Sequence, residues 1–253
     1  MSETLSAPQS GPGAAPTPDE LAPPVLELVA VRAAYGPIEV LHGVDLTVRA
    51  GQVVALLGPN GGGKSTTVKV ASGMLPLTGG ELRYGGRKVD GISAQEAARL
   101  GVCTIPEGRG IFANLSVREN LWLATGTGVS RAAIEEAAFT RFPILADRRN
   151  QLAGSMSGGE QQMLALSRAL GTDPAVLLLD ELSMGLAPMI VSQMYDAVGR
   201  LVEEGVSVLV AEQFARTVLP IADVAAVMLQ GRVTAVGSPD EIDADLSTTY
   251  LGG

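Results

Sequence analysis

The sequence predicts an α/β fold with a mainly parallel, buried β-sheet, an antiparallel β-layer ahead of it and a helical lobe inserted into it. Three observations predict this. Short apolar runs such as "VVALLG", "AVLLLD" and "VSVLVA" read as strands covered on both faces. Amphipathic segments closed by Gly or Pro alternate with them, as crossover helices do. Between about residues 93 and 154 the texture turns helical ("SAQEAARL", "SVRENLWLA", "SRAAIEEAAFTRF"), and strand-like runs resume only at "AVLLLD". A length of 253 residues suits one domain with a full core.

Taken in order, residues 1–24 are rich in Pro, Ala, Ser and Gly and lack the basic start and apolar stretch of a secretory signal. They read as a disordered lead-in, with the folded domain over 25–253. The following segment, "PVLELVAVRAAYGPIEVLHGVDLTVRAGQ", alternates apolar and polar residues between turn signals, the pattern of antiparallel strands. Its His42, the chain's single histidine, is read as structural, and the single cysteine, Cys103, as a buried, inert thiol. No apolar run approaches the roughly 18 residues of a membrane-spanning helix. A net charge of −9 argues against broad nucleic-acid binding, which depends on Lys and Arg neutralising phosphates.

"VVALLGPNGGGKSTTVKVASG" joins a strand to a helix through G-x-x-x-x-G-K-S, the phosphate-binding loop of P-loop nucleotidases. Gly58, Gly61, Gly62 and Gly63 permit positive φ and close backbone approach, so successive N–H groups can cradle phosphate oxygens. The helix that follows adds an effective charge of about +0.5 at its N-terminus. Lys64 supplies a full charge to the β and γ phosphates, and the Ser65 hydroxyl can ligate Mg²⁺. The expected ATP site is thus Gly58, Pro59, Asn60, Gly61, Gly62, Gly63, Lys64, Ser65 and Thr66. In "AVLLLDEL" the strand ends in Asp180, suited to the Mg²⁺ shell, and Glu181 follows as general base or water-orienting group. An acidic pair ending a strand can also cap a helix; the upstream phosphate loop favours the catalytic reading.

A second anion site stands at Ser157, Gly158 and Gly159, ahead of the helical run "EQQMLALSRALG" with apolar residues at 163, 164, 166 and 170. Alone it reads rather as a plain Ser N-cap with glycines for the turn. The order "GPNGGGKST", "MSGGEQQ", "LLLDE" resembles the nucleotide-binding subunits of ATP-binding cassette transporters over nearly all of residues 25–253. That resemblance implies cassettes paired head to tail, with Ser157, Gly158 and Gly159 of one closing on the γ-phosphate held by the other. It also implies that Tyr35 stacks on adenine. Within the family, "IPEGRGIFANLSVRENL", "MGLAP", "AEQ" and "YLGG" look like the LivF-type ATPase of branched-chain amino acid importers.

The chain departs from the family pattern at four positions. Glu107 stands where Gln is usual, and its charge near a triphosphate would be repelled by ~4 kcal/mol at about 4 Å with an effective dielectric near 20, so it must face Mg²⁺ or turn away. Gln213 replaces the switch His; it can donate to the γ-phosphate but holds no proton charge. Leu182 replaces Pro and Met156 replaces Leu. The resemblance implies a peripheral ATPase at the cytoplasmic face of the membrane, partnered by a second cassette subunit (a heterodimer, or a homodimer in isolation), by transmembrane permease subunits and indirectly by a solute-binding protein. The alternative is a soluble cassette ATPase that remodels nucleic acid, ribosomes or a metallocluster scaffold. A P-loop kinase has no use for "SGGEQQ".

Overall fold

The computed structural model describes residues 22–108, 110–124 and 128–251. The expected disordered lead-in falls on residues outside that set up to 21, and the closing Gly252 and Gly253 also lie outside it. The first strand already includes Pro24.

The N-terminal layer is a four-stranded antiparallel sheet of order β2-β1-β4-β5, with β1 Pro24–Tyr35, β2 Ile38–Arg49, β4 Gly79–Tyr84 and β5 Arg87–Lys88. Between β2 and β4 the chain runs through β3 Val53–Leu57 and helix α1 Lys64–Ala71, then through α2 Ala94–Arg99 after β5. The main sheet has the order β10-β9-β3-β8-β7-β6, adding β6 Val102–Ile105, β7 Val176–Asp180, β8 Ser207–Glu212, β9 Val224–Leu229 and β10 Arg232–Gly237. Its pairings are parallel except for the edge hairpin of β9 and β10.

The sheet's central strands β3, β7 and β8 are short, mostly apolar and wholly buried, because both faces are covered. Alternate residues separate cleanly. Val53, Ala55, Leu57, Leu177, Leu179, Val208 and Val210 join one core, and Val54, Leu56, Val176, Leu178, Leu209 and Ala211 join the other. The second core lies against the antiparallel layer and includes Val68, Val70 and Ala71 of α1. The first holds α6 Gly158–Leu170, α7 Pro188–Glu203 and the lobe helices α3 Val117–Trp122, α4 Arg131–Arg141 and α5 Pro143–Asp147. The chain closes with α8 Ala215–Val218 and α9 Pro239–Leu251.

Within the stretch read as helical, residues 102–105 form β6, the outermost parallel strand beside β7. Four residues between Gly101 and Pro106 are too few to show a period, so the pattern around them masked the strand. The strand interrupts the helical stretch, with α2 ahead of it and the lobe helices α3, α4 and α5 after it. Helix start signals were in the sequence: Ser93 with Glu96, Ser116 with Glu119 and Ser157 with Glu160 form reciprocal capping boxes.

Candidate active site

Parallel strands in one sheet end on the same edge, and ligands of α/β sheets bind beyond that edge. Here the order β3-β8-β7-β6 sets side by side the phosphate loop, Gln213, the Asp180–Glu181 pair and Glu107. The register fixes their level: Leu57 pairs with Glu212, Asp180 with Ala211 and Leu179 with Ile105.

The loop glycines divide into two kinds. Gly61 and Gly63 take φ of +78° and +109°, which favour glycine. At Gly58 a Cβ would lie 2.2 Å from the Met228 carbonyl oxygen, so that position needs glycine for space. Gly63 is the N-cap of α1 and offers no side-chain cap, leaving the first-turn N–H groups for an anion. Pro59, Asn60 and Gly61 are exposed, whereas Lys64 and Thr66 are buried.

Lys64 Nζ donates to the carbonyls of Gly58 at 2.9 Å and Pro59 at 3.2 Å, and lies 3.6 Å from Glu181 Oε1. Ser65 Oγ donates to Asp180 Oδ1 at 3.0 Å. Two hard oxygen donors side by side fit Mg²⁺, which is held by one or two protein oxygens with substrate phosphates and water. Burial, reinforced by the charges of Glu181 and Glu107, pushes the Asp180 carboxyl up to about 6 against the pull of Ser65 and Lys64. A buried carboxylate so destabilised is a receptive cation ligand. Glu107 itself is exposed just beyond β6, within electrostatic reach of Asp180. Its negative charge therefore adds to that of the Asp180–Glu181 pair.

Glu181 stands in the left-handed region at φ 51°, a conformation that costs a non-glycine residue of order 1 kcal/mol and is concentrated at functional sites. Its N–H donates to the Ala211 carbonyl at 2.9 Å. Leu182 is buried in the core, so the residue replacing the usual proline packs inward. Gln213 is exposed one residue beyond β8, and the Gly58 N–H donates to the Glu212 carbonyl at 3.3 Å, which places the switch position beside the loop's first glycine. Tyr35, at the end of β1, is 43% exposed, with Lys69 Nζ of α1 5.7 Å from its ring centroid. An open aromatic face beside the phosphate-loop helix is what stacking on a base needs.

Ser157 caps α6: its N–H donates to Glu160 Oε2 at 2.9 Å and its Oγ accepts from the Glu160 N–H at 3.4 Å. Gly158 and Gly159 follow as first-turn residues with no acceptor within the helix. No hydrogen bond or ion pair among the described residues joins Ser157, Gly158 or Gly159 to the phosphate loop of the same chain.

Sequence reasoning missed two features. His42, read as structural in the layer, also borders an open cavity of about 770 Å³ beside the loop, shared with Pro59, Asn60, Gly61, Gln230 and Arg232. Glu212, buried at the end of β8, accepts from the Ser183 N–H and Oγ, each at 2.9 Å, and from the Tyr195 hydroxyl. A carboxylate closing an otherwise apolar run, "VSVLVAE", was the available signal. Cys103, expected to be buried, is only partly so: it packs against the edge of the first core, and the burial it has pushes its thiol up.

Residues 41–183 match the model of the ABC transporter family. The chain is 39% identical to the high-affinity branched-chain amino acid transport ATP-binding protein BraG of Pseudomonas aeruginosa, over 88% of this chain and 97% of that protein. It is 32% identical to the probable branched-chain amino acid transport ATP-binding protein LivF of Archaeoglobus fulgidus, covering 86% and 94%. Among solved structures, the ADP conformation of an ATP-binding cassette of an ABC transporter superposes with a TM-score of 0.77 at 25% identity, covering 91% of this chain and 99% of that one.

Proposed function

Because the chain belongs to the ABC transporter family of ATP-binding proteins, we propose that it is the ATP-hydrolysing subunit of a membrane importer for branched-chain amino acids. The observation that carries the chemistry is the alignment of four parallel strand ends, which brings the phosphate loop, Gln213, Asp180–Glu181 and Glu107 to one edge. The names of the two relatives above support the solute.

ATP enters with adenine against Tyr35 and its phosphates over the loop amides. Lys64, held meanwhile by two carbonyls, turns its ammonium to the β and γ phosphates. Mg²⁺, when bound, would be held by Ser65 and Asp180 with Glu107 nearby, and supplies positive charge against that of the phosphates. Glu181 orients a water on the γ-phosphorus and takes its proton as the new O–P bond forms and the bond to the β-phosphate oxygen breaks. Gln213 donates to the γ-phosphate oxygens. Ser157, Gly158 and Gly159 complete the site of a second cassette, an unlike partner whose own switch residue supplies what a neutral Gln213 does not. Closure of the pair is passed through the lobe near Glu107–Asn120 to permease subunits at the cytoplasmic face of the membrane. No helix among the described residues is long and apolar enough to cross a membrane, in keeping with a peripheral subunit.

The direct test is Glu181→Gln. Loss of a positioned base costs about 10²–10⁴-fold in turnover. Fluorescent-ATP binding within about threefold of wild type with hydrolysis reduced by that factor is expected; hydrolysis near wild type would remove Glu181 from this role.

A further inference from the structure

Resting on the assignment of Glu181 as base, we propose that Glu212 is a positioning residue for hydrolysis, holding the turn that carries Glu181 in register with the phosphate loop. The reasoning starts from the strain at Glu181. A residue at φ 51° keeps that conformation only if its surroundings fix it from both sides. One side is fixed by the Glu181 N–H on the Ala211 carbonyl, 2.9 Å away. The other is fixed two residues later, where Ser183 gives both its N–H and its hydroxyl to the Glu212 carboxylate at 2.9 Å each. Both anchors come from consecutive residues of β8.

Glu212 is equally tied to the substrate side. Its carbonyl accepts from the Gly58 N–H at 3.3 Å, its backbone pairs with Leu57, and the next residue is Gln213. One residue, 1% exposed, thereby fixes the distance between the start of the phosphate loop and the turn of the base. Tyr195 of α7 completes the carboxylate's partners, its hydroxyl donating to the Oε1 that also accepts the Ser183 N–H, and α7 is continuous with the loop of Ser183 to Ala187. A buried carboxylate is costly unless hydrogen-bonded, and three converging donors meet that need. A packing residue would be served by an apolar side chain, as at every other position from Val208 to Ala211.

Three variants separate positioning from plain stability: Glu212→Ala, which removes both carboxylate anchors, Ser183→Ala, which removes one bond to the base turn, and Tyr195→Phe, which removes a bond that does not reach that turn. Hydrolysis is measured on the complex purified through a tag on this chain, with fluorescent-ATP affinity and melting temperature measured on the isolated full chain. Expected are a fall in kcat of about tenfold or more for Glu212→Ala and about threefold for Ser183→Ala, with KM and nucleotide affinity within about twofold. For Tyr195→Phe, kcat stays within about twofold while Tm falls. Unchanged kcat in both Glu212→Ala and Ser183→Ala overturns the proposal, as does an equal fall in Tyr195→Phe and Ser183→Ala. If Glu212→Ala does not fold, the contrast of Ser183→Ala with Tyr195→Phe decides alone. Glu181→Gln is run alongside: turnover retained there rejects the base assignment, whereas an inactive Glu181→Gln with normal Glu212→Ala and Ser183→Ala rejects only the role of Glu212.

Discussion

Asp180 is where burial and function pull in opposite directions. Its carboxyl is raised from 3.8 to about 6, chiefly by burial, so in the folded protein it keeps a proton that the unfolded chain has already released. Between those two values stability falls as pH rises, because the unfolded state binds fewer protons, and at pH 7 the full penalty is present. Asp180→Asn is therefore expected to stabilise the nucleotide-free protein at pH 7 by on the order of 2 kcal/mol, and by little at pH 4, as read from denaturant midpoints at the two values. Its affinity for ATP in the presence of Mg²⁺ should fall, since the metal loses its carboxylate. In the wild type the gain in ATP affinity on adding Mg²⁺ should shrink below about pH 6, as the proton competes with the metal. At this scale the sequence was most legible where a motif is contiguous: Gly58 to Thr66 and Asp180–Glu181 stand where their spacing placed them. The anchor of Ser183 on Glu212 was not legible, because residues 29 apart in sequence meet only through strand order.

Among the elements, α6 shows why Gly159 stands in its first turn. A Cβ at Gly159 would lie 2.5 Å from Ile190 Cγ2 at the start of α7, so the close approach of α6 and α7 itself demands glycine there. Gly159→Ala is expected to cost about 1–3 kcal/mol in chemical denaturation through this clash. An unchanged midpoint would mean that α7 gives way freely. The strands were legible because each apolar run has a covered face on either side; β6 was not, because four residues carry no period and its pairing with β7 is supplied by the fold. Met156 and Leu182, the apolar departures from the family pattern, are both buried in the first core.

Across the whole molecule the two cores split the chain's tasks. The core between the sheets holds β1 and α1, which flank Tyr35 and the phosphate loop, while the core on the other face holds the lobe helices and α6, which Ser157 caps. One chain thus displays the phosphate-loop edge of the sheet and, separately, the N-terminus of α6 capped by Ser157, for which we propose an anion role in a partner's site. Pairing with another cassette and docking to a membrane permease follow if both are to act, and neither partner could be identified from residues alone, since recognition belongs to surfaces that only the partners complete. The most direct measurement is to tag the Glu181→Gln chain in its native host, solubilise the membranes with ATP and Mg²⁺ present, and identify what co-purifies. The expected result is a second cassette ATPase together with multi-span membrane subunits. Recovery from the soluble fraction with ribosomes, nucleic acid or a protein scaffold would contradict the transport role while leaving the ATP site standing.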